Sequence, residues 1–162
     1  MDGKLRNMAS LYLSYGEKIL FLYRIGSRVV NNSYVGSAGG HFEQEELNDA
    51  KSCVLRELNE ETGLSKEDIK DLALRYVTLR LKDNEIRQNY YFFADLIDID
   101  KEISSNEGRL EWVDCKNVSS LDMPFTAKYV IEHFLKVGRN TACLYSGIAT
   151  VDGVDFIEMK NF

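Results

Sequence analysis

The two longest apolar runs in the chain stand almost back to back. Residues 72–81 (LALRYVTLRL) and 86–97 (IRQNYYFFADLI) flank Lys82-Asp83-Asn84-Glu85. Runs rich in β-branched and aromatic residues on either side of a polar turn predict one long hairpin. Tyr90-Tyr91-Phe92-Phe93-Ala94 puts apolar side chains on both alternating faces, so both faces of this sheet need a cover. The expected fold class is therefore α/β: a mixed sheet with helices on its faces.

The rest of the chain supplies the remaining pieces. Residues 9–14 and 18–25, around Tyr15-Gly16-Glu17, predict a second hairpin. Residues 26–40 hold Gly26, Asn31, Asn32, Ser33, Gly36, Gly39 and Gly40 and read as a loop with a short strand near Tyr34-Val35. A helix is expected from Asp49 to Thr62, capped by Asn48 or Asp49 and stopped by Gly63. A polar loop at 98–108 leads to a short strand at 110–113. Phe125 to Val137 has helical spacing, with Val130, Ile131, Phe134 and Leu135 on one stripe. Residues 142–150 and 154–159 predict a third hairpin around Asp152-Gly153. The 162 residues suit one domain, 1–162, with this hairpin as an extension at about 140–160.

Charge and cysteine usage narrow the function. A formal net charge of −6 argues against nucleic-acid partners or an anionic membrane surface, both of which need a basic patch. It leaves phosphate substrates open, since a bound divalent cation inverts the local charge. Cys53, Cys115 and Cys143 form no C-x-x-C pair and suggest small core residues in a reducing compartment. The sequence MDGKLRNMAS carries no apolar signal segment, and no run approaches a membrane span, so a cytoplasmic location is expected.

The helix at 49–62 is unusual. At ~100° per residue with Glu57 at zero, Ala50 lies at about 20°, Cys53 at about −40° and Val54 at about 60°. On the same wheel Glu61 falls at about 40° and Glu60 at about −60°. The apolar stripe that begins the helix thus continues as a carboxylate stripe. Clustered acids on a semi-buried face repel one another and lose hydration. A hard cation such as Mg²⁺ or Mn²⁺ would relieve that, and no His or Cys joins them to favour zinc. The alternative is a solvated acidic patch paired with Arg56 or Lys51, and the wheel alone leaves both open.

Residues 40–64, GHFEQEELNDAKSCVLRELNEETGL, resemble the Nudix box G-x5-E-x7-R-E-U-x-E-E-x-G-U, U being a bulky aliphatic. Arg56, Glu57, Leu58, Glu60, Glu61, Gly63 and Leu64 match its second half. Gly40 and Glu46 keep the first spacing, but nine residues separate Glu46 from Arg56, and Asn48 stands seven before it. Either Glu46 or Asn48 could take the place of the first motif glutamate. The resemblance, over roughly residues 5–138, is to MutT-like Nudix hydrolases and implies an α/β/α sandwich that cuts a phosphoanhydride bond with Mg²⁺, Mn²⁺ being possible.

It also implies roles. Glu60 and Glu61 would bind the metal, with Glu57 binding metal or serving as base, and Gly39 would offer a carbonyl. Arg56 would orient a glutamate. A further acid before a strand bearing Trp would be Glu107, ahead of Trp112, with Glu111 as its competitor. Arg24, Gly40 and Arg87 are candidates for substrate phosphates. His41 reads as a loop residue and His133 as structural. The stretch Met123-Pro124-Phe125-Thr126 lacks the Asn that relatives acting on oxidised guanine carry.

The function so implied is a pyrophosphohydrolase of nucleoside triphosphates, releasing a monophosphate and pyrophosphate. The alternatives are hydrolysis of ADP-ribose or a nucleotide sugar, whose branch usually carries an extra N-terminal strand region, and a nucleotide-binding module without catalysis. A prenyl diphosphate isomerase would need a catalytic Cys and metal-binding His residues that find no place here. The oligomeric state, monomer or homodimer, is open.

Overall fold

The computed structural model describes residues 3–25 and 32–161. Strands β1 (Lys4–Tyr15), β2 (Lys18–Arg24), β3 (Ser33–Val35) and β4 (Ala38–His41) precede helix α1 (Ala50–Thr62). Then come β5 (Ile69–Lys82), β6 (Glu85–Leu96), β7 (Gly108–Asp114), α2 (Phe125–Lys136), β8 (Leu144–Ala149) and β9 (Val154–Met159). The strands form one sheet in the order β3-β2-β1-β6-β5-β8-β9, with β4 paired to β1 and β7 to β2. β1/β6 and β5/β8 are parallel and the other pairs antiparallel, so the sheet is mixed.

The expected hairpin of β5 and β6 turns at Asp83 and Asn84, both at positive φ (53° and 64°), the conformation of a tight two-residue turn. Its faces are covered separately. Phe92, Ala94 and Leu96 pack with Ala9, Leu11, Leu13 and, from α1, Cys53, Val54 and Leu58. Tyr91 and Phe93 pack with Tyr12, Phe21 and, from α2, Val130 and Ile131. One helix lies on each face, and each hides its apolar stripe there. The C-terminal hairpin continues the sheet beyond β5, where Tyr145 and Phe156 surround Tyr76. His133 hydrogen-bonds the Tyr76 hydroxyl at 2.8 Å, the structural part expected of it. Cys53 is buried, and Cys115 and Cys143 pack at the margin of the second core.

Three expectations need correction. β1 begins at Lys4, not at residue 9, because its polar half pairs along β6 from Lys4↔Glu85 onward. Residues 38–40, expected in a loop, belong to strand β4. Residues 26–31, including Gly26 and Asn31, lie outside the described residues. Glu60, expected on the semi-buried stripe, is exposed, because it sits at the stripe's margin and reaches its ion-pair partner Arg56 one turn back.

One local feature shapes the site. β1 pairs with β4 over Met8–Leu11 and with β2 over Leu13–Tyr15, so the sheet forks. The buried Ser37 side chain fills the fork: its hydroxyl accepts from the Leu13 amide (2.8 Å) and donates to the Leu20 carbonyl (2.6 Å). Buried polar groups at a break in a ladder need such partners. Among the described residues no helix is long and apolar enough to cross a membrane.

Candidate active site

α1 is held at both ends as its sequence predicts. Asp49 accepts from the Ser52 amide at 3.0 Å, and Gly63 ends the helix at φ 72°, donating its N–H to the Asn59 carbonyl. So fixed, α1 brings Glu57 and Glu61 against the glycines of β4. A side chain at Gly40 would fall on the Glu57 carboxylate, and one at Gly39 would meet the Ala9 carbonyl at 2.5 Å. The Gly39 amide donates to Glu61 Oε2 at 2.7 Å. The two glycines let the backbone approach a carboxylate closely.

Two arginines organise the acids. Arg56 donates to both oxygens of Glu46 (Nε to Oε1, 2.7 Å; Nη2 to Oε2, 2.9 Å). Its Nη1 reaches Glu57 at 2.8 Å and Glu60 at 3.1 Å, and its Nη2 the His41 carbonyl at 3.0 Å. This paired geometry settles the choice left by the sequence: Glu46, not Asn48, meets Arg56. Glu46 also accepts from the Glu43 amide, and the Arg56 guanidinium holds its carboxyl down at about 2. The sequence offered Glu46 only as one of two candidates for the first motif glutamate, with no catalytic, metal or substrate role, although its spacing from Gly40 marked it.

Arg24 bridges Glu61 (3.0 Å) and Glu107. Glu107 is thereby joined to the cluster, whereas Glu111 accepts from Tyr34 and Arg109 instead. Burial pushes the Glu61 carboxyl well above the usual carboxylate range, against the Gly39 hydrogen bond, which favours the charged form. Burial also raises Glu57. Arg87 lies apart, at the start of β6, paired with Glu85.

Among the described residues no three acid, His or Cys side chains converge to hold an ion as they stand, for Glu57 and Glu60 are drawn to Arg56 and Glu61 to Arg24. The donor chemistry nonetheless fits a hard divalent cation. The acids are Glu57, Glu60, Glu61 and Glu107, two of them buried where their charge is disfavoured, and the His41 Nε2 is taken by Arg6 Nε.

Beside the cluster a cleft of about 240 Å³ opens on the α2 side of the sheet. Glu61, Gly39 and Arg24 line one end, and Arg6, Arg80, Arg87 and Asn89 also border it. The arrangement can bind a polyanion beside carboxylates able to hold a cation and accept a proton.

Comparison with known proteins agrees with this fold. The chain shares its fold with a MutT protein from Bacillus halodurans: 21% identity, TM-score 0.64, 93% of this chain and 97% of that one covered. A MutT protein from Methanosarcina mazei matches at 18% identity and TM-score 0.65, over 86% and 97% of the two chains. An Ap4A hydrolase from C. elegans matches at 14% and 0.63, over 84% and 99%. Comparison with curated proteins returns no match. The NUDIX domain model matches residues 5–134, most of the chain, and the protein therefore belongs to the Nudix family, hydrolases of phosphoanhydride bonds in nucleoside diphosphate derivatives.

Proposed function

We propose that the protein is a Mg²⁺-dependent pyrophosphohydrolase of nucleoside triphosphates that releases a monophosphate and pyrophosphate. The observation that carries this reading is the position of Glu61, buried between the Gly39 amide and Arg24 at the end of an arginine-lined cleft.

Hydrolases of this family generally use divalent cations. Glu60, Glu61, Glu107 and the Gly39 carbonyl would hold the ion, and Mn²⁺ would serve in place of Mg²⁺. When bound, it would neutralise phosphate charge and lower the pKa of a coordinated water. The chain's own groups do the rest. Glu57, raised by burial, takes the proton of the attacking water. The water oxygen bonds to phosphorus as the bridging P–O bond breaks, and the leaving phosphate carries away the electron pair. Arg24, whose Nε has no partner among the described residues, binds phosphate oxygens. Arg56 touches no substrate; it fixes Glu57 against Glu46.

A panel of nucleoside triphosphates, ADP-ribose and nucleotide sugars, with Mg²⁺ and then with EDTA, tests the reading. Pyrophosphate released from at least one triphosphate, and abolished by EDTA, is the expected result. Turnover of ADP-ribose with none of any triphosphate would overturn it.

A further inference from the structure

The strand register places three arginines in a line. Arg6 of β1 is directly opposite Arg87 of β6, and Arg87 is directly opposite Arg80 of β5. Paired residues share a face of the sheet, and all three border the cleft. Like charges opposite one another destabilise a sheet. In a chain of net charge −6, such a row is concentrated against the overall balance.

Local acids compensate it only in part. Glu85 serves Arg87 at 3.1 Å and Arg6 at 3.9 Å, and Asp83 lies 3.9 Å from Arg87. Arg80 has no carboxylate within ion-pair distance among the described residues. Its guanidinium lies over the Phe125 ring, 5.0 Å from the centroid. It is half-buried, so water screens it incompletely.

The row is also remote from the acids of α1. Ser10 is opposite Gly39, the residue that holds Glu61, and Arg6 stands four residues further along β1. At ~3.3 Å per residue that is ~13 Å. Arg24, beside Glu61, is the cation nearer to phosphates linked to the cleaved bond. Between the two ends the next row inward is Met8, Asn89 and Thr78. Asn89 Oδ1 there is buried without a hydrogen-bond partner, and so is the Tyr12 hydroxyl deeper in the cleft. Unpaired buried acceptors and donors beside a cavity suit a polar ligand.

We propose that Arg6, Arg87 and Arg80 form a second phosphate subsite, so that the preferred substrate is a nucleotide carrying a further phosphate remote from the bond cleaved at α1. This rests on the function proposed above and names its substrate class. Asn89 meets the part of the ligand that spans the two subsites. The guanidinium fork suits a phosphate, whose oxygens accept two parallel hydrogen bonds.

The test is calorimetric titration with each of the four nucleoside 3′,5′-bisphosphates beside its 5′-monophosphate, in Mg²⁺ and in EDTA. None of these ligands has an anhydride to cut, so binding is read without turnover. At least one bisphosphate should bind roughly 10- to 100-fold more tightly than its monophosphate, the scale of one hydrogen bond to a charged group. Arg80→Gln should bring that ratio close to one, Arg80→Lys should keep part of it, and both should melt near wild type. A wild-type ratio of one for every base, or a preference that survives Arg80→Gln in a folded protein, would overturn the subsite. The triphosphate panel stands or falls separately, because the 5′ end is common to both ligands and cancels in the ratio.

Discussion

Replacing Arg56 by Met should expose how the site is held together. The change removes the cation shared by Glu46 and Glu57, which are only 7% and 9% exposed. Breaking a buried ion pair from one side costs ~3–5 kcal/mol, because a charge is left without compensation. The Arg56 side chain is 21% exposed, so water reaches it and the lower end applies, ~3 kcal/mol. At ~2–4 °C per kcal/mol the melting temperature should fall by roughly 6–12 °C. An ordinary surface pair would cost at most ~1 kcal/mol. Urea unfolding of wild type, Arg56→Met, Glu46→Gln and the double variant reads this directly, and the double variant should lose less than the sum of the singles. Acid titration adds a second reading. The Glu46 carboxyl is lowered from 4.5 to about 2 in the folded protein, so it adds stability above 4.5 and loses it as pH falls toward about 2. Wild type should lose that stability across the window, and Arg56→Met should not. A loss under ~1 kcal/mol, or strict additivity in the double variant, would refute the reasoning.

Other changes separate architecture from chemistry. In Gly39→Ala the new carbon meets the Ala9 carbonyl and Ser10 Cα, which cannot give way. It should cost ~1–3 kcal/mol in denaturant melts. In Gly40→Ala the carbon meets the flexible end of Glu57, so the protein should melt nearly as wild type while kcat falls by up to ~10²-fold through misplacement of that carboxylate. Mg²⁺ at ~100 times its Kd should add ~2.7 kcal/mol if it binds only the folded state, a rise of roughly 5–10 °C. Glu61→Gln should shrink that rise, and NaCl of equal ionic strength should not reproduce it.

The residues of α1 and its caps were legible because they obey local rules. Asp49 caps, Gly63 ends the helix in the left-handed region, and periodicity put Glu57 and Glu61 beside Cys53 and Val54. The long hairpin was legible for the same reason. What escaped was set by partners distant in sequence. Gly39-Gly40 reads as a turn, yet it is strand because both residues pair with β1, and glycine stands there because the β1 backbone crowds Gly39 and the Glu57 carboxylate crowds Gly40. The polar half of β1 lacks the apolar alternation that marks a strand, because Arg6, Met8 and Ser10 border a cleft. The arginine row depends on the register of β1, β6 and β5, which no local window contains. Glu60 lay at the edge of the stripe on the wheel, where a small rotation decides between burial and solvent.

The most direct measurement is the kcat of Glu57→Gln and Glu61→Gln on the best triphosphate at saturating Mg²⁺, with folding checked by melting. Both carboxylates lie against the glycines of β4. Each variant should stay folded and lose at least ~10²-fold in kcat, the usual scale for a general base. Near wild-type turnover by either would mean that the α1 glutamates are not the catalytic centre.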